Sequence, residues 1–296
     1  MKLALNISLN AEQLWREKRI ELDLFKCPAW PDLVTRAGSE WPVYVHFPLS
    51  AGLGKGDLID TETRQPVDWT RIESLLAQTA TRHVNVHLSP RSADFPGLAH
   101  DVADPALLEQ VAAKLIKDVA SVVQRFGPDK VIAESIYSLD GTYLPQAFWP
   151  EVIKRVIEET GCGFLFDLAH ARLAARFLGI PPKEYIGRLP LNRLCEMHVT
   201  GIQMFDGALV ERCRQAGVAP DFIGRFEGRL LDHLPMTDED WPFLTWAVEQ
   251  IRQGAWAKPW MVACEYGGMG SWWELMTEAP ILETQIPRML EMVRSY

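Results

Sequence analysis

Short apolar runs recur along the chain at residues 3–7, 20–25, 43–47, 84–88, 131–136, 163–168, 194–199 and 261–266. They are continuous rather than alternating, the pattern of strands buried on both faces. Longer stretches with helical spacing separate them. Residues 105–126 place Leu108, Val111, Ala112, Leu115, Val119, Val122 and Val123 on one face ahead of Gly127, and Gly is a usual helix stop. Residues 148–160 read as a second helix closed by Gly161, and Thr237-Asp238-Glu239-Asp240 predicts a helix start running to near Gly254. The run at 20–25 is the least regular, because Glu21 and Asp23 interrupt it. Eight buried strands joined by helices predict an α/β chain closed into a parallel (β/α)8 TIM barrel.

The length of 296 residues suits one such domain over 1–296. The Gly- and Arg-rich span 201–235 reads as a long loop insertion after strand seven, lying over the barrel mouth. A net charge of −9 disfavours nucleic acid as a partner, because phosphate binding needs basic patches. No apolar run approaches the roughly 18 residues of a membrane span, and the N-terminal run is too short for a signal peptide. A cytoplasmic protein is therefore expected. The five cysteines are odd in number and scattered, without a C-x-x-C; this argues against a disulfide framework and a structural zinc site.

Barrel enzymes place their chemistry at the C-terminal ends of the strands. Here those ends carry His46, His87, Glu134, Asp167 with His170 three residues on, Glu196 with His198, and Glu265. One polar residue at a strand end means little. Six successive ends restricted to His, Asp and Glu mean more, since these side chains together bind zinc, manganese and iron. Glu196 and His198 are two apart, so both point the same way in a strand. Cys195 and Cys264 each precede an acid and point the other way, into packing. Asp232 and His233 in the long loop bring the candidates to ten. One ion takes about four to six ligands, so two or three divalent ions with a carboxylate between them are expected. Glu134, His170 and Glu196 are also the candidate catalytic groups.

Other residues have plainer readings. His83 begins a strand and reads as structural; His100, beside Asp101, reads as solvated surface. Arg225 and Arg229 fit a solvated face or an anionic substrate. Trp241 and Trp246 fit packing, while Trp272-Trp273 after strand eight could line a pocket. Gly267-Gly268-Met269-Gly270 lacks a phosphate-binding pattern. Lys26, at the end of the second run, could reach into the mouth.

The ordered set of strand-end ligands resembles the xylose-isomerase-like barrels. Within them it is most similar to the uncharacterised-protein family that includes the multinuclear non-heme iron oxidases. The likeness runs from His46 through Glu265, with Glu196-Met197-His198-Val199-Thr200-Gly201 matching an acid-x-His-x-x-Gly segment and Asp232-His233 preceding Trp241. The resemblance implies iron, with Glu134 bridging two ions. His46 and His87 would hold one, and Asp167, His198 and Glu265 another. His170, Glu196 and Asp232-His233 would complete a third site or surround the others. It also implies an oxidoreductase that uses dioxygen and modifies a peptide cysteine. One departure is visible: the oxidases usually show Asp-x-Asn-Asn where this chain has Asp167-Leu168-Ala169-His170. That D-x-x-H resembles abasic-site endonucleases and sugar isomerases of the same superfamily. It keeps open a zinc- or manganese-dependent hydrolase or isomerase acting on sugars or phosphate esters. A non-catalytic metal-dependent binding protein is a further alternative.

Overall fold

A computed structural model describes residues 1–52, 58–95, 104–137 and 142–295; His100 and Asp101 lie outside the described residues. The strands are β1 (Lys2–Asn6), β2 (Leu24–Pro28), β3 (Val43–His46), β4 (Leu49–Ala51), β5 (Ile59–Asp60), β6 (Val84–Leu88), β7 (Val131–Ser135), β8 (Gly163–Asp167), β9 (Leu194–Val199), β10 (Gly201–Met204), β11 (Leu230–Leu234) and β12 (Met261–Cys264). The chain forms two compact units, Cys27–Glu196 and Met1–Lys26 with Met197–Tyr296.

In the unit Cys27–Glu196, β4, β6, β7 and β8 pair in parallel in that order, and β5 runs antiparallel on β4. Their apolar side chains are buried throughout, among them Val84, Val86, Val131, Ala133, Phe164 and Phe166. The connecting helices start and stop where their termini are satisfied. Asp104 caps the helix Pro105–Phe126 by accepting from the Ala106 amide, and Gly161 closes Pro150–Thr160 in a left-handed conformation that glycine adopts without strain. The β6–β7 register places His87 directly beside Glu134, and β4–β6 places Ser50 beside His87. Partners in register share a face, so this pairing fixes which groups meet.

In the other unit β1 lies between β2 and β12, parallel to both, and β10 and β11 form an antiparallel ribbon. Three expectations need correction here. The second strand is Leu24–Pro28 rather than 20–25, because Asp23 turns its carboxylate to accept from the Leu3 amide and so ends the preceding coil. Lys26 consequently sits mid-strand, not at the end. The span 201–235 is not an irregular loop: between β10 and β11 it holds helices Gly207–Gln215 and Pro220–Phe226. The helix expected from Thr237 begins at Trp241. Asp240 accepts from both the amide and the hydroxyl of Thr237 at 2.7 Å, which closes a turn in front of the helix. Among the described residues no helix is long and apolar enough to cross a membrane.

Gly201 opens β10 opposite Leu234, and a Cβ there would collide with the Pro235 carbonyl. The obstacle is backbone and cannot swing aside. Gly201→Ala should therefore cost on the order of 2–3 kcal/mol of stability, as overpacking does, read as a lower denaturant midpoint. An unchanged midpoint would show that the ribbon can shift.

Candidate metal-binding site

Within the unit Cys27–Glu196 the ends of β3, β6 and β7 bring three donors together. His46 Nε2 lies 2.9 Å from His87 Nε2. Glu134 Oε2 lies 3.4 Å from the first and 3.3 Å from the second. Two ring nitrogens this close share either a proton or an ion. An ion with bonds near 2.0–2.1 Å sets neighbouring donors about 3.0 Å apart in octahedral and about 3.3 Å apart in tetrahedral geometry. The triangle fits a single metal ion on either count. Glu134 is 2% exposed, so its charge has few alternatives to these neighbours.

The supports are specific. His87 Nδ1 meets the Leu49 carbonyl at 3.0 Å, which places a proton on Nδ1 and leaves Nε2 as the ligand atom. Asn85 brackets the Phe47 peptide, accepting from its amide at 2.6 Å and donating to its carbonyl at 2.9 Å. Its side-chain nitrogen also lies 3.1 Å from His46 Nε2. Asn85 went unremarked in the sequence, although its place two residues before His87 puts both on one face of β6.

The other oxygen of Glu134 faces a second group. His170 Nδ1 lies 3.6 Å from Glu134 Oε1 and 3.9 Å from Asp167 Oδ2. Glu134, Asp167 and His170 each offer a donor atom within 4.8 Å of the others. Asp167 also works for the fold. Its Oδ1 accepts from the His170 amide and so caps the helix Leu168–Leu178. His170 Nδ1 in turn meets the Ser135 carbonyl at 3.2 Å. That contact puts the proton on Nδ1 and leaves Nε2 as the nitrogen with which His170 could ligate, and Glu134 has potential donor residues near both of its oxygens. Glu196 is buried on β9 and its charge acts on His83, whose pKa burial lowers and Glu196 partly restores. Among the described residues Glu196 enters none of the close donor groups.

In the other unit the centre is Glu265, just past β12. Its Oε1 is ion-paired with the Lys26 ammonium and lies 3.0 Å from His198 Nδ1. Its Oε2 lies 3.9 Å from His233 Nε2, and His233 Nδ1 meets the Glu265 carbonyl oxygen at 3.0 Å. Burial pushes the Glu265 carboxyl up, but His198, Lys26 and His233 outweigh it and hold the group well below the usual carboxylate range. His233 has a left-handed backbone, with φ of 57°, a strained choice for a residue with a side chain. Asp232 beside it is buried on β11. Trp273 packs on the His233 ring at 5.0 Å and, on its other contact, lies 4.5 Å from the Trp272 ring, which Phe205 and Phe222 also meet. The glycines after β12 serve packing: Gly268 donates to Thr277 Oγ1, and Gly267 lies against that same side chain.

Imidazole and carboxylate donors gathered beyond the ends of parallel strands define a metal-binding α/β protein, and the fold is the xylose-isomerase-like TIM barrel. Over 99% of this chain and 97% of the other, it is similar to a xylose isomerase domain containing protein from Salmonella typhimurium, with a TM-score of 0.53 and 15% identity. It is also similar to a xylose isomerase-like TIM barrel/4-hydroxyphenylpyruvate dioxygenase fusion protein, with a TM-score of 0.54 and 14% identity over 100% of this chain and 43% of that one. The chain belongs to the RiPP precursor modification enzyme family MbnB/TglH/ChrH, whose family model matches residues 28–220. A UPF0276 protein of Alcanivorax borkumensis is 29% identical over 170 residues, 56% of this chain and 54% of that relative. The chain thus spans little more than half the length of the curated relatives it matches.

Glu134→Gln should bind fewer ions per chain than wild type and hold the remainder roughly 10–100-fold more weakly, because an amide offers only one good donor oxygen. Elemental analysis giving an unchanged count and affinity would remove Glu134 from the ligand set. A second expectation concerns the metal-free protein. The Glu265 pKa is depressed in the fold, so its contribution to stability is complete above the unfolded value near 4.3. That contribution is lost as pH falls through the lower folded value. Glu265→Gln, which strands Lys26, should cost about 3–5 kcal/mol at neutral pH, with a deficit that shrinks below about pH 4.3. A deficit independent of pH down to acid unfolding would contradict the ion pair.

Proposed function

We propose that this chain is a metal-dependent oxidoreductase that modifies a ribosomally made precursor peptide, with iron as its metal and a peptide cysteine as the group modified. The observation that carries the reading is the face formed by His46, His87 and Glu134, with separations of 2.9–3.4 Å. Two imidazoles and one carboxylate are the protein donor set of non-heme iron(II) oxygenases. Family membership supports the peptide substrate.

Glu134, with Asp167 and His170 on its second oxygen, would hold a further ion. Bound iron supplies electron transfer to dioxygen and favours the thiolate form of a coordinated thiol. The protein's part is geometric. The Leu49 carbonyl orients His87, the helix cap fixes Asp167, and the Ser135 carbonyl holds His170. Several of the chain's own thiols are withdrawn from reaction. Burial pushes Cys162 up to about 11 and Cys264 to about 12, and raises Cys195 and Cys213 as well.

The test is anaerobic loading with Fe(II), followed by oxygen-uptake measurement with and without a cysteine-containing peptide. Peptide-dependent uptake is expected, lowered at least about 100-fold in His46→Ala and His87→Ala. Tight zinc or manganese binding without oxygen uptake, together with turnover of a sugar or phosphate ester, would overturn the oxidase in favour of a hydrolase or isomerase.

A further inference from the structure

β2 reads Leu24-Phe25-Lys26-Cys27-Pro28, a single charge among apolar neighbours, and Lys26 is only 7% exposed. A lysine is rarely buried unless it is paired. Its register is fixed by Asn6, its partner across β1–β2, and by its own carbonyl, which accepts from the Ile7 amide at 3.0 Å. Asn6 also donates to the carbonyl oxygens of Glu265 and Gly267, at 3.0 and 2.9 Å. The same asparagine therefore ties down both the strand carrying the ammonium and the segment carrying the carboxylate. Glu265 Oε1 is already shared between Lys26 and His198, and only Oε2 is left toward His233.

We infer that Lys26 is a built-in cation that takes the place of a metal ion at Glu265, so that the donor group of His198, His233 and Glu265 holds one ion fewer than its residue types allow. An ammonium at ion-pair distance satisfies one carboxylate oxygen. It also presents a positive charge to any dication approaching through the other, at a buried position where little water screens the repulsion. The exchange is one of charge alone, and no bond is made or broken. Both Lys26 and Glu265 lie outside residues 28–220 matched by the family model. The inference rests on reading His198, His233 and Glu265 as potential ligands, and it makes Lys26 a positioning residue for metal count.

The experiment titrates the purified full chain with Fe(II) anaerobically and counts bound metal by elemental analysis, for wild type, Lys26→Met and Lys26→Gln. Methionine keeps the length of the stem without its charge, and glutamine guards against a methionine variant that fails to fold. The expected result is one additional Fe(II) per chain in the variants, bound at least about tenfold more tightly than any ion wild type takes at this group. Glu265→Gln in the wild-type background should leave the Fe(II) count unchanged, because the paired carboxylate holds none. Equal count and affinity in wild type and both lysine variants would overturn the role of Lys26 alone. Loss of an ion in Glu265→Gln would do the same, by showing Glu265 to be a ligand beside its lysine. Absence of bound Fe(II) from every protein would overturn this inference and the proposed function together.

Discussion

A carboxylate removed from water must meet a cation or a set of donors, and that requirement organises the candidate sites in each unit of this protein. Glu134, Asp167 and Glu265 are each no more than 3% exposed. Leaving a charge in such a place uncompensated costs several kcal/mol. The chain answers in three ways. Asp167 gives one oxygen to a helix N-terminus, where amides and the helix dipole favour negative charge. Glu265 takes a lysine. Glu134 has imidazoles on both oxygens, and imidazole is a ligand as readily as it is a hydrogen-bond partner. Surroundings made of imidazoles on both sides of a buried carboxylate are ones that suit a metal.

Much of this was legible because a buried parallel strand announces itself twice: by its continuous apolar run, and by the polar residue on which the run ends. His87 and Glu134 could be placed at strand ends from the sequence, and the β6–β7 register puts them side by side. The second run failed for a local reason. Asp23 spends its side chain on the Leu3 amide, an interaction 20 residues away along the chain that no periodicity records. The elements between β10 and β11 were hidden because they are short and polar: the helix Gly207–Gln215 buries only Val210 and Cys213. Thr237 to Asp240 reads as a helix start; the Asp240 carboxylate does reach back to the Thr237 amide, but the four residues form a turn and the helix begins at Trp241. Asn85 shows what sequence withholds even where the strand is correct. Its value lies in gripping the Phe47 peptide from a neighbouring segment, and an alternating N-x-H carries no sign of that.

The comparisons divide the same way. Likeness at 14–15% identity over the whole chain establishes the barrel and says nothing about which ions or substrates it serves. Family membership rests on residues 28–220, which contain His46, His87, Glu134, Asp167, His170 and His198 but neither Lys26 nor the Asp232, His233 and Glu265 segment. The matched part of the sequence thus carries the imidazole-flanked carboxylate. The part outside it carries a carboxylate already neutralised by a lysine. With Lys26 as its built-in cation, the Glu265 group can vary its ion count without altering its own donors. A single change of charge at one buried strand position suffices, because in a site with little water each unit of charge decides whether a dication is held or excluded.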